Sequence, residues 1–268
     1  MIGLSLSEKI SRLLQVASKA PSTTLDAEML DDLPAPVRRY LELAQIAGKK
    51  MPRTGYVMQS GLFRTAPKQK WLTMKAEQWF SLDPPGFVWR GSIETFPLVR
   101  ISAVDALVDG HGGLEVKALS IFPIAKFSGP EADSAQFGRF LLELAWFPAC
   151  WLSRYIKWRP VDDSSASVHI ESTKGNAAAA VAHSEEFKAS AVVHFGEDGF
   201  PMKMETTRYR ALGRNLVLTP WIGRCTDYEQ VEGVAVPTNV SVSWVLDQGE
   251  FEYFRVKVRE LKYDSLGA

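Results

Sequence analysis

Residues 133–154 read DSAQFGRFLLELAWFPACWLSR, and their interpretation decides the fold. From Phe137 to Leu152 the run is apolar on nearly every side, and only Arg139 and Glu143 bring charge into it. A helix that is apolar all round has to be enclosed all round. Asp133 or Ser134 is placed to cap its start. Pro148 removes one helical hydrogen bond and crowds the carbonyl of Leu144. The sequence therefore predicts a helix that kinks at Pro148, or one that ends near Phe147 with a further turn over Ala149–Leu152.

Outward from this helix the period changes to two. Before it, the runs Tyr56–Arg64, Trp71–Leu82, Phe87–Glu94, Val99–Val108 and Leu114–Phe122 read as strands, broken by APKQ, DPPG and DGHGG. After it come Ala166–Lys174, Phe187–Phe195, Met202–Tyr209, Trp221–Glu229, Val236–Leu246 and Phe251–Tyr263, separated in part by EDGF, VEGVAVP and DQGE. Such short connections join antiparallel neighbours. A sheet of that many strands curls, and its concave face offers the enclosure that the apolar helix needs.

Two helices are expected ahead of the sheet. Leu6, Ile10, Leu13, Leu14 and Ala17 recur at helical spacing behind Ser5 or Ser7 as a cap. LPAPVRRYLELAQIAG (33–48) places prolines at a helix start, Val37, Tyr40, Leu41 and Ala44 on one face, and Gly48 at its end. Arg38 and Arg39 read as solvated.

Composition narrows the function classes. The 31 basic and 31 acidic side chains cancel, so the clustered positive charge of a nucleic-acid binder is missing. Eight Trp and fourteen Phe supply aromatic area for a broad core or an apolar cavity. The N-terminal residues lack a basic region before an apolar core, which predicts no signal peptide, no transmembrane segment and a cytoplasmic protein. Cys150, on the apolar helix, reads as a small buried hydrophobe; its pairing with Cys225 is left open.

LPAPVRRYL (33–41), GFVWRGSI (86–93), FLLELAWFPACWL (140–152) followed by WRPVDD (158–163), and GVAVPTNVSVSW (233–244) together resemble an uncharacterised, mainly bacterial family, a domain of unknown function. The resemblance spans Leu33 to Tyr263. It implies a half-barrel similar to that of the periplasmic lipoprotein carriers, an antiparallel sheet wrapped around helices, with an apolar groove.

Glu143 is the leading candidate for chemistry. A carboxylate among Leu141, Leu142, Leu144, Ala145 and Trp146 has to find a partner or hold a proton. Arg139, one turn earlier, Arg159 and Arg208 are its candidate partners, and a neighbouring strand is favoured because Arg before Glu is the weaker helical order. Arg100 and Asp105 point to opposite faces of one strand, and solvent is the default for each of them and for Arg208. Asp109 and His111 fall in DGHGG, which hairpin chemistry explains. His169 and His194 read as solvent-facing, and His183 lies in a polar loop. HExxH, CxxC, GxGxxG, GxxxxGK[ST] and GxSxG are all missing, so neither a metal nor a cofactor is expected.

These readings predict a mainly β (α+β) protein: a strongly curved antiparallel sheet, or half-barrel, around a central apolar helix, with N-terminal helices. Residues 1–32 form a helix and linker, and 33–268 a single half-barrel domain. The expected function is binding of a hydrophobic small molecule, a lipid or fatty-acid-like compound, through Arg139, Glu143, Trp146, Trp89, Arg208 and Trp221. The alternatives are an enzyme that uses Glu143, with Arg208, for proton transfer on an apolar substrate, and a structural or partner-binding module with a self-filled core.

Overall fold

A computed structural model describes residues 4–96, 99–119, 122–171, 187–213 and 215–264. The expected loop with His183 and the far end of the strand Ala166–Lys174 lie outside these residues. The chain lays down one wing of a sheet, crosses it with a helix, and lays down a second wing from the opposite edge. The first wing is β1 (Thr54–Phe63), β2 (Leu72–Leu82), β3 (Pro85–Phe96), β4 (Val99–Val108), β5 (His111–Ala118) and β6 (Phe122–Ser128). The second is β7 (Ile156–Asp162), β8 (Ser165–Glu171), β9 (Phe187–Phe195), β10 (Pro201–Leu212), β11 (Asn215–Val231), β12 (Val234–Leu246) and β13 (Gly249–Tyr263). All 13 strands form one sheet in the order β6-β5-β4-β3-β2-β1-β13-β12-β11-β10-β9-β8-β7. First and last strands pair at its centre, Tyr56 opposite Lys262. Among the described residues β6 and β7 are the two edges of the sheet, which does not close.

The mainly β, antiparallel class agrees with the sequence, but two strands were not separated there. Leu114–Phe122 is not one strand: β5 ends at Ala118 and β6 begins at Phe122, after Leu119, whose φ of 51° starts the reversal. β7 was missed because Pro160 interrupts its pattern; it is an edge strand, where a proline leaves no central ladder bond unmade. The DGHGG turn is hairpin chemistry: Asp109 (φ 53°) and Gly110 (φ 78°) take the left-handed conformations that a tight two-residue connection requires. His111 is the exposed first residue of β5.

Helix α1 (Leu6–Ala17) is capped by Ser5, whose hydroxyl accepts from Glu8 N while the Glu8 carboxylate accepts from Ser5 N. It packs on one face of β2–β4, with Leu13 against Val88, Ala106 and Val108. Helix α2 (Ala35–Leu43) opens on prolines and stops short of the expected Gly48, which lies in a turn at φ 77°. It buries Tyr40 among Trp151, Phe195, Phe200 and Tyr228.

The crossing helix α3 spans Pro130–Glu143, with two short 3-10 turns behind it, Leu144–Trp146 and Pro148–Leu152. It starts earlier than predicted, because Pro130 suits the first helical turn. Neither Asp133 nor Ser134 caps it; Asp133 Oδ1 instead accepts from Gly112 N at 2.6 Å. The helix ends because Phe147 precedes a proline and leaves helical geometry (φ −132°, ψ 62°). α3 touches β3–β6 of one wing and β9 and β10 of the other, so it lies on the opposite sheet face from α1. Phe140, Leu141, Leu144, Ala145, Trp146, Phe147, Cys150 and Trp151 all join the main core. Phe147 meets Phe80 edge to face, 4.8 Å between ring centres, and covers Gly55 of β1, where a Cβ would come within 2.3 Å of its ring. Cys150 and Cys225 are buried free thiols.

Candidate functional site

The core does not fill the space between α3 and the sheet. Beside the packed Phe140 and Phe147, a partly open cavity of about 410 Å³ runs along α3 and the turn that follows it. That size lies within the range of about 300–1,000 Å³ typical of small-molecule pockets. Leu142 and Trp146 line it from the helical segment, Val116 and Phe127 from the first wing, Trp221 and Trp244 from the second. At the tip of the β10–β11 hairpin Ala211 and Leu216 line it too, and beside them Leu212, Val217 and Leu218 are exposed.

All six predicted binding residues line this cavity: Trp89, Arg139, Glu143, Trp146, Arg208 and Trp221. The charged ones are knitted together with two glutamines and Asp105. Arg139 Nε donates to Glu143 Oε1 at 2.8 Å and Nη1 to Asp105 Oδ2 at 2.7 Å. Gln78 Nε2 donates to Glu143 Oε2 at 2.6 Å, and Gln136 Nε2 to Asp105 Oδ1 at 2.8 Å. Every carboxylate oxygen of the pair of acids therefore has a donor. The Arg139 guanidinium also lies 5.0 Å from the ring centres of Phe87 and Trp89, where an aromatic face attracts a cation.

The expected strand arginine is not the partner of Glu143; that expectation is corrected. Arg159 is exposed on β7, and Arg208 turns to the other acid, its Nη2 3.8 Å from Asp105 Oδ2. Arg139 wins because a single guanidinium reaches both acids, which offsets the weaker helical order. Solvent is also not the destination of Arg208 or Asp105. Arg208 Nε donates to the Ala135 carbonyl at 2.9 Å and Nη2 to Gln136 Oε1 at 3.3 Å, and its guanidinium lies 5.0 Å from the Trp221 ring. Arg100, at the far end of the strand, is exposed. His194 is half-buried against Glu205, 2.8 Å away, and His169 is half-buried on β8.

Burial raises the Glu143 carboxyl above its ordinary value, against the pull of Arg139 and of the hydrogen bonds from Arg139 and Gln78. Burial works against the charge on Arg139 as well, yet Glu143 and Asp105 more than compensate and raise its pKa. Tyr253 also lines the cavity; burial raises its pKa, so it is a neutral hydroxyl. Its oxygen accepts from Trp221 Nε1 at 3.1 Å, which leaves its own proton to donate.

Sequence reasoning missed Gln78, Gln136, Arg210 and Tyr253. For Gln78 a signal existed. In β2 the residues Met74, Ala76, Gln78 and Phe80 alternate to the buried face, and a glutamine in such a row has to meet a polar partner inside. Among the described residues no group of three or more His, Cys, Asp or Glu is arranged to hold a metal ion, and no helix is long and apolar enough to cross a membrane.

The sequence model of a family of unknown function, DUF6544, matches residues 23–256. No curated protein matches the chain. Among solved structures, a DUF1329 family protein from Desulfovibrio piger is similar at 12% identity, over 88% of this chain and 95% of that one, with a TM-score of 0.47. A LolA superfamily protein from Nitrosomonas europaea is similar at 11% identity, over 91% and 96%, with a TM-score of 0.38.

Proposed function

The chain belongs to that family of unknown function, and from this premise we propose that it binds a hydrophobic small molecule in the cavity beside α3. The observation that carries the reading is a preformed space of about 410 Å³ with a mostly apolar lining. An apolar cavity of that size loses contacts that a packed core would make, and an apolar ligand restores them. The half-barrel arrangement, with α3 against both wings, keeps the space open: the sheet holds its far wall, and the edge-to-face contact of Phe80 and Phe147 fixes the helical segment. The exposed leucines and valine at the tip of the β10–β11 hairpin add apolar surface next to the lining residues Ala211 and Leu216.

Proton transfer by Glu143 fits the geometry less well. A general base needs a free lone pair within reach of the substrate, and both oxygens of Glu143 are engaged by Arg139 and Gln78. The cluster is better understood as a clasp that fixes α3 to β2 and β4. Native mass spectrometry of the protein purified from its own host tests the reading. A retained apolar compound that organic extraction releases is expected. Ligand-free protein that also takes up no apolar probe would remove it.

A further inference from the structure

The polar groups of the cavity are unequal in sign. Among the described residues it is lined by four arginines, Arg64, Arg139, Arg208 and Arg210, and by two acids, Asp105 and Glu143. The whole chain is neutral, so the two positive charges in excess are local to this lining. Arg139 is used up on the two acids. Arg64 is held by the neutral carbonyls of Glu252 and Pro67 and lies over Trp71 and Phe251.

That leaves the arginines of β10. Arg208 and Arg210 are two residues apart on one strand, so both point to the same face, about 7 Å from each other along it. Arg208 lies over Trp221, and Arg210 lies 6.0 Å from the ring centre of its neighbour Trp244. Arg208 keeps neutral acceptors on two donors, the Ala135 carbonyl and Gln136 Oε1, and reaches Asp105 only at 3.8 Å, so its charge is only partly offset. Arg210 Nε is buried and has no hydrogen-bond partner among the described residues, and the same is true of Trp146 Nε1 on the cavity wall. A buried donor left unmade is costly. The Tyr253 hydroxyl, hydrogen-bonded to Trp221 Nε1, adds a donor. Unsatisfied donors, excess positive charge and an apolar remainder describe the complement of an anionic amphiphile.

Resting on the binding reading above, we propose that the ligand carries one anionic head, a carboxylate or a phosphate monoester, seated chiefly against Arg210 and partly against Arg208, with its apolar tail along Leu142, Trp221 and Trp244. A planar guanidinium pairs with either anion through two parallel hydrogen bonds.

The test is calorimetric titration of the full chain with decanoate, decyl phosphate, decanol and decyltrimethylammonium, each kept below its micelle threshold. The anions should bind about ten-fold or more tightly than decanol and the cation. Tighter binding of decanoate assigns a free acid, and tighter binding of decyl phosphate a phosphate ester. Arg210→Gln, checked for an unchanged fold by circular dichroism, should bring the anions to within about three-fold of decanol. Arg210→Lys should keep part of the preference. Equal binding of all four compounds overturns the head-group assignment and leaves the apolar cavity standing. An anion preference that survives in Arg210→Gln also overturns it. No binding of any decyl compound removes the binding reading together with it.

Discussion

Arg139 and Glu143 stand one helical turn apart on α3, and Nε of the first lies 2.8 Å from Oε1 of the second. The guanidinium continues to Asp105 on β4, 2.7 Å away, so one side chain neutralises two acids from two elements. The side chains of all three are between 10% and 13% exposed, and screening by water is correspondingly weak.

Loss of Arg139 removes the cation that neutralises two buried carboxylates. Arg139→Met should lower stability by about 3–5 kcal/mol. Glu143→Gln should cost less, about 1–3 kcal/mol, because Arg139 keeps Asp105 and the amide oxygen still accepts a hydrogen bond. Urea unfolding of both variants checks the order. A Glu143→Gln loss equal to or above that of Arg139→Met would contradict the clasp.

Neighbouring leucines of α3 should respond differently. Leu141 is 3% exposed in the main core, and Leu141→Ala should cost about 2–5 kcal/mol by emptying a packed site. Leu142 belongs to the same core but also lines the existing cavity, so part of its side chain already lacks packed neighbours and Leu142→Ala should fall at the low end of that range, about 2 kcal/mol. Urea melts that rank the two the other way would place the cavity on the wrong side of the helix.

The thiols report on enclosure. Burial pushes Cys225 up to about 12, and it pushes Cys150 higher still. Because the thiolate is the nucleophile, Cys150, fully enclosed in the core, should not react with an aromatic disulfide reagent at pH 8 in the folded protein and should react in urea, whereas Cys225 lines the cavity and should react no faster than reagent enters it. Fast labelling of folded Cys150 would contradict its place in the core.

Acid should act through surface pairs. The hydrogen bond from Arg224 holds the Glu250 carboxyl below its ordinary value of 4.5. A folded pKa below the unfolded one gives stability that is present above the unfolded value and lost as pH falls through the folded one. The pair is more than a third exposed, so its share is small. Melting temperature should fall on acidification below the ordinary value of 4.5, and Glu250→Gln should flatten that slope. An unchanged slope would assign the acid limb to other groups.

The architecture was legible because it follows from burial. Residues 140–152 could only be enclosed, and alternation fixed most strands. The site was less so. Asp105 sits on a strand, β4, whose two faces are both covered: α1 packs over Ala106 and Val108 while the cavity takes Asp105. Alternation alone cannot then separate inside from outside. Nor could it place Arg210, whose role depends on the pairing that sets Trp221 beside Trp244 across β11 and β12. The partner of Glu143 was misjudged for a related reason. A pairwise helical preference of a few tenths of a kcal/mol is overridden when tertiary structure brings a second acid to the same arginine.

The central claim, that the cavity beside α3 holds an apolar ligand, is tested most directly by titration of a fluorescent fatty acid into wild-type protein and into Val242→Trp. Val242 lines the cavity from β12, and an indole there occupies the space; such overpacking costs about 1–3 kcal/mol, so the fold should survive. The account predicts saturable uptake by the wild type and its loss in Val242→Trp at an unchanged circular dichroism spectrum. Uptake that is equal in both proteins, or absent from the wild type at high micromolar probe, would contradict it.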